Sequence, residues 1–128
     1  MPNDYYEGKA SYYTNKSVDP RWGGYTKSGE KFDENALTVA VRPSDWKTLK
    51  GKTLEVTDVD TGKSVDVRVT DTGGFTKYGR VLDLSLGAFR TIADPKNGVT
   101  RVKYRVKSDS KTVEAMKDRE KKDGNDKK

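Results

Sequence analysis

Apolar residues in this chain fall into short runs separated by glycine, proline and charged residues, and most runs alternate with a period of two. Over residues 64–70, Val65, Val67 and Val69 alternate with Asp66 and Arg68, which predicts a strand with one buried face. In residues 53–59, Leu54 and Val56 share a face while Val59 falls out of phase as a turn approaches. Between these two strands, Asp60-Thr61-Gly62-Lys63 predicts a hairpin turn. Further strands are expected over residues 8–14, 36–42, where Pro43 stops the run, 80–84 and 100–107, where Val102, Tyr104 and Val106 alternate. One helical period stands out. Ser85 can cap a helix over 86–93 that presents Leu86, Phe89 and Ile92/Ala93 on one side, and Asp94-Pro95 and Asn97-Gly98 end it.

Residues 15–35 are rich in glycine and charge and predict a long loop, of a length that usually carries function or disorder. Past residue 107 the composition changes. Residues 108–128 hold 7 Lys/Arg and 6 Asp/Glu with only Val113, Ala115 and Met116 apolar, so this stretch predicts a solvated tail or short fraying helix. The pattern therefore gives one domain over 1–107 and a charged tail over 108–128. Six or so short strands with one helix placed late suit a small barrel closed on itself.

Composition narrows the chemistry more than the fold. Hydrophobic residues make up 31% of the 128 and charged residues 36%, with a net charge of +6. A basic balance favours polyanions, whether nucleic acid, anionic lipid or cell-wall polymer. The positive charges are interleaved with Asp and Glu, and aromatic and basic residues do not share one strand pair, so nucleic acid is the least favoured partner. With no cysteine and no histidine, disulfides, zinc fingers, thiol catalysis, imidazole bases and histidine-ligated metals are excluded. Acid–base work must fall to Asp, Glu, Tyr or Lys. No run of 18 apolar residues predicts a membrane span, and the first residues lack the apolar run of a secretory leader, which leaves the export route open.

Two motif-like stretches read as turns. Gly62-Lys63-Ser64 resembles the end of a phosphate-binding loop, but Thr57 stands where its first glycine belongs and a strand follows. Asp58 to Gly62 hints at a calcium loop, but its glycine is one place early and Val69 occupies the twelfth position. No metal site is expected.

The informative stretch is Val67-Arg68-Val69-Thr70-Asp71-Thr72-Gly73-Gly74-Phe75, followed by Gly79-Arg80-Val81-Leu82-Asp83-Leu84-Ser85. By spacing alone, Asp71 starts a turn and Asp83 caps the following helix. These segments, together with Gly8-Lys9-Ala10-Ser11-Tyr12-Tyr13 and Ser28-Gly29-Glu30-Lys31-Phe32-Asp33-Glu34-Asn35-Ala36-Leu37-Thr38, resemble rare-lipoprotein-A-like (RlpA-like) domains, in the same order and over roughly residues 8–106. Asp71-Thr72-Gly73-Gly74 is also similar to the motif of three-aspartate domains and of membrane-bound lytic transglycosylase A.

The resemblance implies a mainly β, six-stranded double-psi β-barrel with one or two short helices and a groove across it. It implies peptidoglycan glycan strands as partner, at the cell wall in the periplasm or outside the cell. It also implies cleavage between N-acetylmuramic acid and N-acetylglucosamine, without water and without a cofactor, leaving a 1,6-anhydro end. On the matching positions, Asp83 is the acid/base and Asp71 its partner, while Glu30, Asp33, Thr72 and Gly73 line the groove. Tyr12, Tyr13 and Trp22 are candidates to stack on sugar faces.

The chain departs from the pattern at Val41, where RlpA-like domains carry histidine, and at Arg42, where three-aspartate domains carry aspartate. A non-catalytic glycan-binding or structural barrel, such as a phage tail or baseplate component, therefore stands beside the enzyme. In that alternative, the 108–128 tail docks a virion or cell-wall protein. An expansin-like loosener of polymer packing is a third alternative.

Overall fold

The computed structural model describes residues 5–17, 24–73 and 79–107. Trp22, the Gly74-Phe75 pair and the 108–128 tail lie outside the described residues. The described residues form six strands: β1 (Tyr6–Tyr13), β2 (Thr38–Val41), β3 (Thr53–Asp58), β4 (Ser64–Thr72), β5 (Arg80–Ser85) and β6 (Thr100–Lys107). Helix α1 (Pro43–Leu49) joins β2 to β3, and α2 (Leu86–Ile92) follows β5, with a single 3-10 turn (Pro95–Asn97) before β6.

The strands close in the order β1-β5-β2-β4-β3-β6, which leaves no unpaired edge. The β1–β5 and β2–β4 pairs are parallel and the other four antiparallel. Chain order and barrel order thus interleave, with the antiparallel β2–β5 contact at the centre. This is the double-psi β-barrel that the RlpA-like resemblance implies.

The core follows the period-two pattern. Val65, Val67 and Val69 of β4 turn inward to Leu54 and Val56 of β3, with Asp66 and Arg68 outside. Val39, Val41, Leu82, Leu84 and Val102 complete the interior. Helix α2 starts where Ser85 Oγ accepts the Ala88 N–H at 3.3 Å, and it buries Ala88, Phe89 and Ile92 against the barrel. Fully burying side chains such as Phe89 and Ile92 is worth roughly 1.5–3 kcal/mol each.

The β3–β4 hairpin shows what the calcium-like spacing does. Asp58 is almost completely buried. Its Oδ1 accepts the N–H groups of Asp60 (2.8 Å) and Thr61 (3.1 Å), while Oδ2 accepts Thr100 Oγ1 at 2.7 Å. Gly62 takes the positive φ of 75° that closes the turn.

Helix α1 was not visible in the hydrophobic period. Pro43 ends β2, as expected, but it also occupies the first helical position, where its missing N–H costs nothing. Asp45 in the first turn pairs with Arg42 (Nε–Oδ2 2.8 Å), and Trp46 and Leu49 pack on the core.

Candidate active site

The site is built by strand register. Ala40 of β2 pairs with Asp83 of β5 on one side and with Asp71 of β4 on the other. Asp83 in turn pairs with Ser11 of β1. Directly paired residues point to the same face of a sheet, so Ser11, Asp83, Ala40 and Asp71 form a row across the outer face of the barrel. Two strand spacings put the α-carbons of Asp71 and Asp83 roughly 10 Å apart. Between them in the row stands Ala40.

A bulge makes this row possible. Continued without interruption, the alternation that buries Val65, Val67 and Val69 would turn Asp71 into the core. The register slips between Val39 and Ala40, so that Val39 pairs with Val69 and Ala40 with Asp71, leaving Thr70 extra. The added residue re-aims Asp71 outward. A similar slip between Lys9 and Ala10 leaves Val81 extra in β5 and brings Asp83 opposite Ser11.

Three members of the row, Ala40, Asp71 and Asp83, line a cavity of about 530 Å³. Tyr13, Thr72 and Gly73 line it as well, together with Ser17, Tyr25, Thr26 and Lys27 of the long loop. That loop is anchored to β4. Ser28 donates its N–H to Thr70 O at 3.0 Å, and Lys27 donates its own to Asp71 Oδ1 at 3.1 Å. Glu30 forms a two-pronged pair with the Arg68 guanidinium (Nη2–Oε1 2.6 Å). Phe32 stacks on Tyr13 with ring centroids 4.2 Å apart and planes at 16°.

The two carboxylates differ in surroundings. Burial pushes the Asp83 carboxyl up to about 6, and the charge of Asp71 adds to the rise. A hydrogen bond from Ser11 Oγ (2.9 Å) and the charge of Arg80 oppose it. Asp71 instead accepts two backbone N–H groups on one oxygen, from Lys27 and from Thr72 at 2.9 Å. Asp83 does not cap α2, a task that falls to Ser85.

Of the sequence-derived site residues, Asp83, Asp71, Tyr13, Thr72 and Gly73 meet in the cavity. Glu30 and Asp33 do not line it: Glu30 is committed to Arg68, and Asp33 Oδ1 holds a turn by accepting the Asn35 N–H at 2.9 Å. Tyr12 is also elsewhere. Strand alternation turns it to the opposite face, where it packs on Phe89 (4.8 Å between centroids) and donates to Pro95 O at 3.0 Å, so packing replaces the expected sugar contact. Sequence reasoning missed Ser11, Ser17, Tyr25, Thr26, Lys27 and Ala40. Ser11 was legible in principle, because it lies two residues before Tyr13 and so shares its face.

A family model described as lytic transglycolase matches residues 5–104. The chain belongs to that family. Among its relatives, the probable endolytic peptidoglycan transglycosylase RlpA of Synechocystis is 45% identical over 80 residues, 62% of this chain and 23% of the relative. The protein of the same name from Nostoc is 39% identical over 101 residues, 79% of this chain and 25% of the relative. Endolytic peptidoglycan transglycosylase RlpA of Pseudomonas aeruginosa is 39% identical over 97 residues, covering 75% of this chain and 26% of the relative. The chain thus spans about a quarter of the length of these relatives. Among solved structures, the Streptomyces papain inhibitor aligns with TM-score 0.64 at 24% identity, covering 81% of this chain and 94% of that one. An apo Clavibacter michiganensis expansin aligns with TM-score 0.64 at 24% identity, covering 83% and 52%. Both share the barrel with this family member.

Proposed function

We propose that this family member binds peptidoglycan glycan strands in the groove over Ala40 and cleaves the bond between N-acetylmuramic acid and N-acetylglucosamine, with Asp83 as acid and then base. The observation that carries the reading is a half-dry carboxyl whose proton is held to about pH 6, set in one row with a second carboxylate on an open cavity. The names of the RlpA relatives supply the substrate class.

The proton count closes on one residue. Protonated Asp83 donates to the glycosidic oxygen as the bond from C1 breaks. The resulting carboxylate takes the proton of the C6 hydroxyl, whose oxygen closes on C1 to give the 1,6-anhydro ring. Asp83 ends protonated again, and no water is consumed. Asp71 contributes negative charge, which favours the protonated form of Asp83 and the cationic character developing at C1.

A second reading rests on Val41. Its side chain is fully buried in the core, and it offers the site only its carbonyl, which accepts Thr72 Oγ1 at 2.9 Å and the Gly73 N–H at 3.2 Å. No imidazole stands there, which favours a barrel that binds glycan without cutting it, as a structural or virion component would. Incubation with purified sacculi, followed by mass spectrometry of the soluble fraction, separates the two readings. Cleavage releases anhydro-ended fragments that disappear in Asp83→Asn, whereas a binding module sediments with the sacculi and releases none.

A further inference from the structure

Tyr13 carries a hydroxyl that has no partner among the described residues. Its Oη is buried and makes no hydrogen bond among the described residues, although the side chain lines the cavity and the residue is only 9% exposed. Leaving a buried hydroxyl unmet is unfavourable, and in native proteins such a group calls for an explanation. Neighbouring Tyr12 is different, because its hydroxyl is satisfied within the fold by Pro95 O. Thr38 and Thr70 also carry buried unpaired hydroxyls, but neither lines the cavity. Stacking does not explain the choice of tyrosine at 13. One ring face already lies on Phe32, and a phenylalanine would fill that place equally well.

We infer that Tyr13 Oη donates a hydrogen bond to an uncharged oxygen of the sugar unit bound between Asp71 and Asp83. The inference rests on the glycan-groove reading above and names the contact that reading lacks. Burial, followed by the charges of Asp71 and Asp83, raises the phenol well beyond its ordinary value, so the group remains a donor. Those same two carboxylates disfavour an anionic acceptor. The acceptor is therefore a hydroxyl, ring or acetamido oxygen, which fits a neutral part of an N-acetylated sugar.

The test uses Asp83→Asn as a parent that does not consume its ligand and peptide-free glycan strands from sacculi as the probe. Adding Tyr13→Phe to that parent is expected to weaken binding on the order of tenfold, the scale of one hydrogen bond. Tyr13→Phe alone is expected to unfold at the same or a higher temperature than the wild-type protein, since the group it removes has no partner among the described residues. Equal affinity of the two variants overturns the inference and leaves the groove reading standing. A fall of several degrees in unfolding temperature also overturns it, because the hydroxyl then has a partner within the fold. Absence of binding by both wild-type protein and parent removes the groove reading and this inference together.

Discussion

Asp83 holds its proton because burial strips water from its charged form, and Ser11 and Arg80 offset only part of that. With a folded value near 6 against an ordinary 3.8, the native state binds more protons than the unfolded chain between those two values. Stability therefore falls as pH rises from about 4 to about 6 and stays lower above that window. Asp83→Asn removes the penalty: thermal unfolding at pH 7 should move up, by no more than about 3 kcal/mol, with little change at pH 3.5. Cleavage should decline above pH about 6 as the acid is lost. Ser11→Ala removes the hydrogen bond that favours the carboxylate, so that limb of the pH–rate profile should shift to higher pH. An unshifted limb would show that another group titrates in the reaction.

The elements show how far the chain could be read in advance. Strands β3, β4 and β6 were legible because each repeats an apolar residue every second position. Helix α2 was legible because Ser85, Phe89 and Ile92 mark a cap and a face. Helix α1 carries only Trp46 and Leu49 as apolar residues and buries no residue fully, so no apolar face emerges, and Pro43 served both as a strand stop and a helix start. The bulge at Thr70 was illegible, since nothing local in Val69-Thr70-Asp71 shows which residue lacks a partner. Hence Asp71 was identified by resemblance, while the reason it faces the groove came only from register. The faces of Tyr12 and Tyr13 were confused for a related reason: adjacent strand residues point opposite ways, and the phase is set by what each meets.

At this scale Gly87 offers a test. A Cβ there would stand 2.7 Å from Asn35 O, a backbone atom, at the point where Gly87 donates its N–H to Glu34 O at 2.7 Å. Gly87→Ala should force α2 and the long loop apart and cost about 1–3 kcal/mol by thermal unfolding. Glu30→Ala should behave differently. Its partner Arg68 is about half exposed, as is Glu30 itself, so stability should change by less than about 1 kcal/mol.

For the molecule as a whole, closure of the barrel fixes the groove. The strands that carry Ser11, Asp83, Ala40 and Asp71 are each held on both sides, so the two carboxylates keep their spacing without a ligand. The long loop, tied to β4 at Thr70, Asp71 and Arg68, adds a wall rather than a free flap over the described stretch. The chain as a whole carries a net charge of +6. Long-range attraction to an anionic wall polymer should therefore weaken with salt, and sedimentation with sacculi should fall as ionic strength rises.

The most direct measurement of what the groove does is mass spectrometry of the soluble material released from purified sacculi by the wild-type protein and by Asp83→Asn. Anhydro-ended glycan fragments from the wild-type protein, absent with Asp83→Asn, are the predicted result. Equal release by both proteins, or no release by a wild-type protein that sediments with the sacculi, would contradict the role assigned to Asp83.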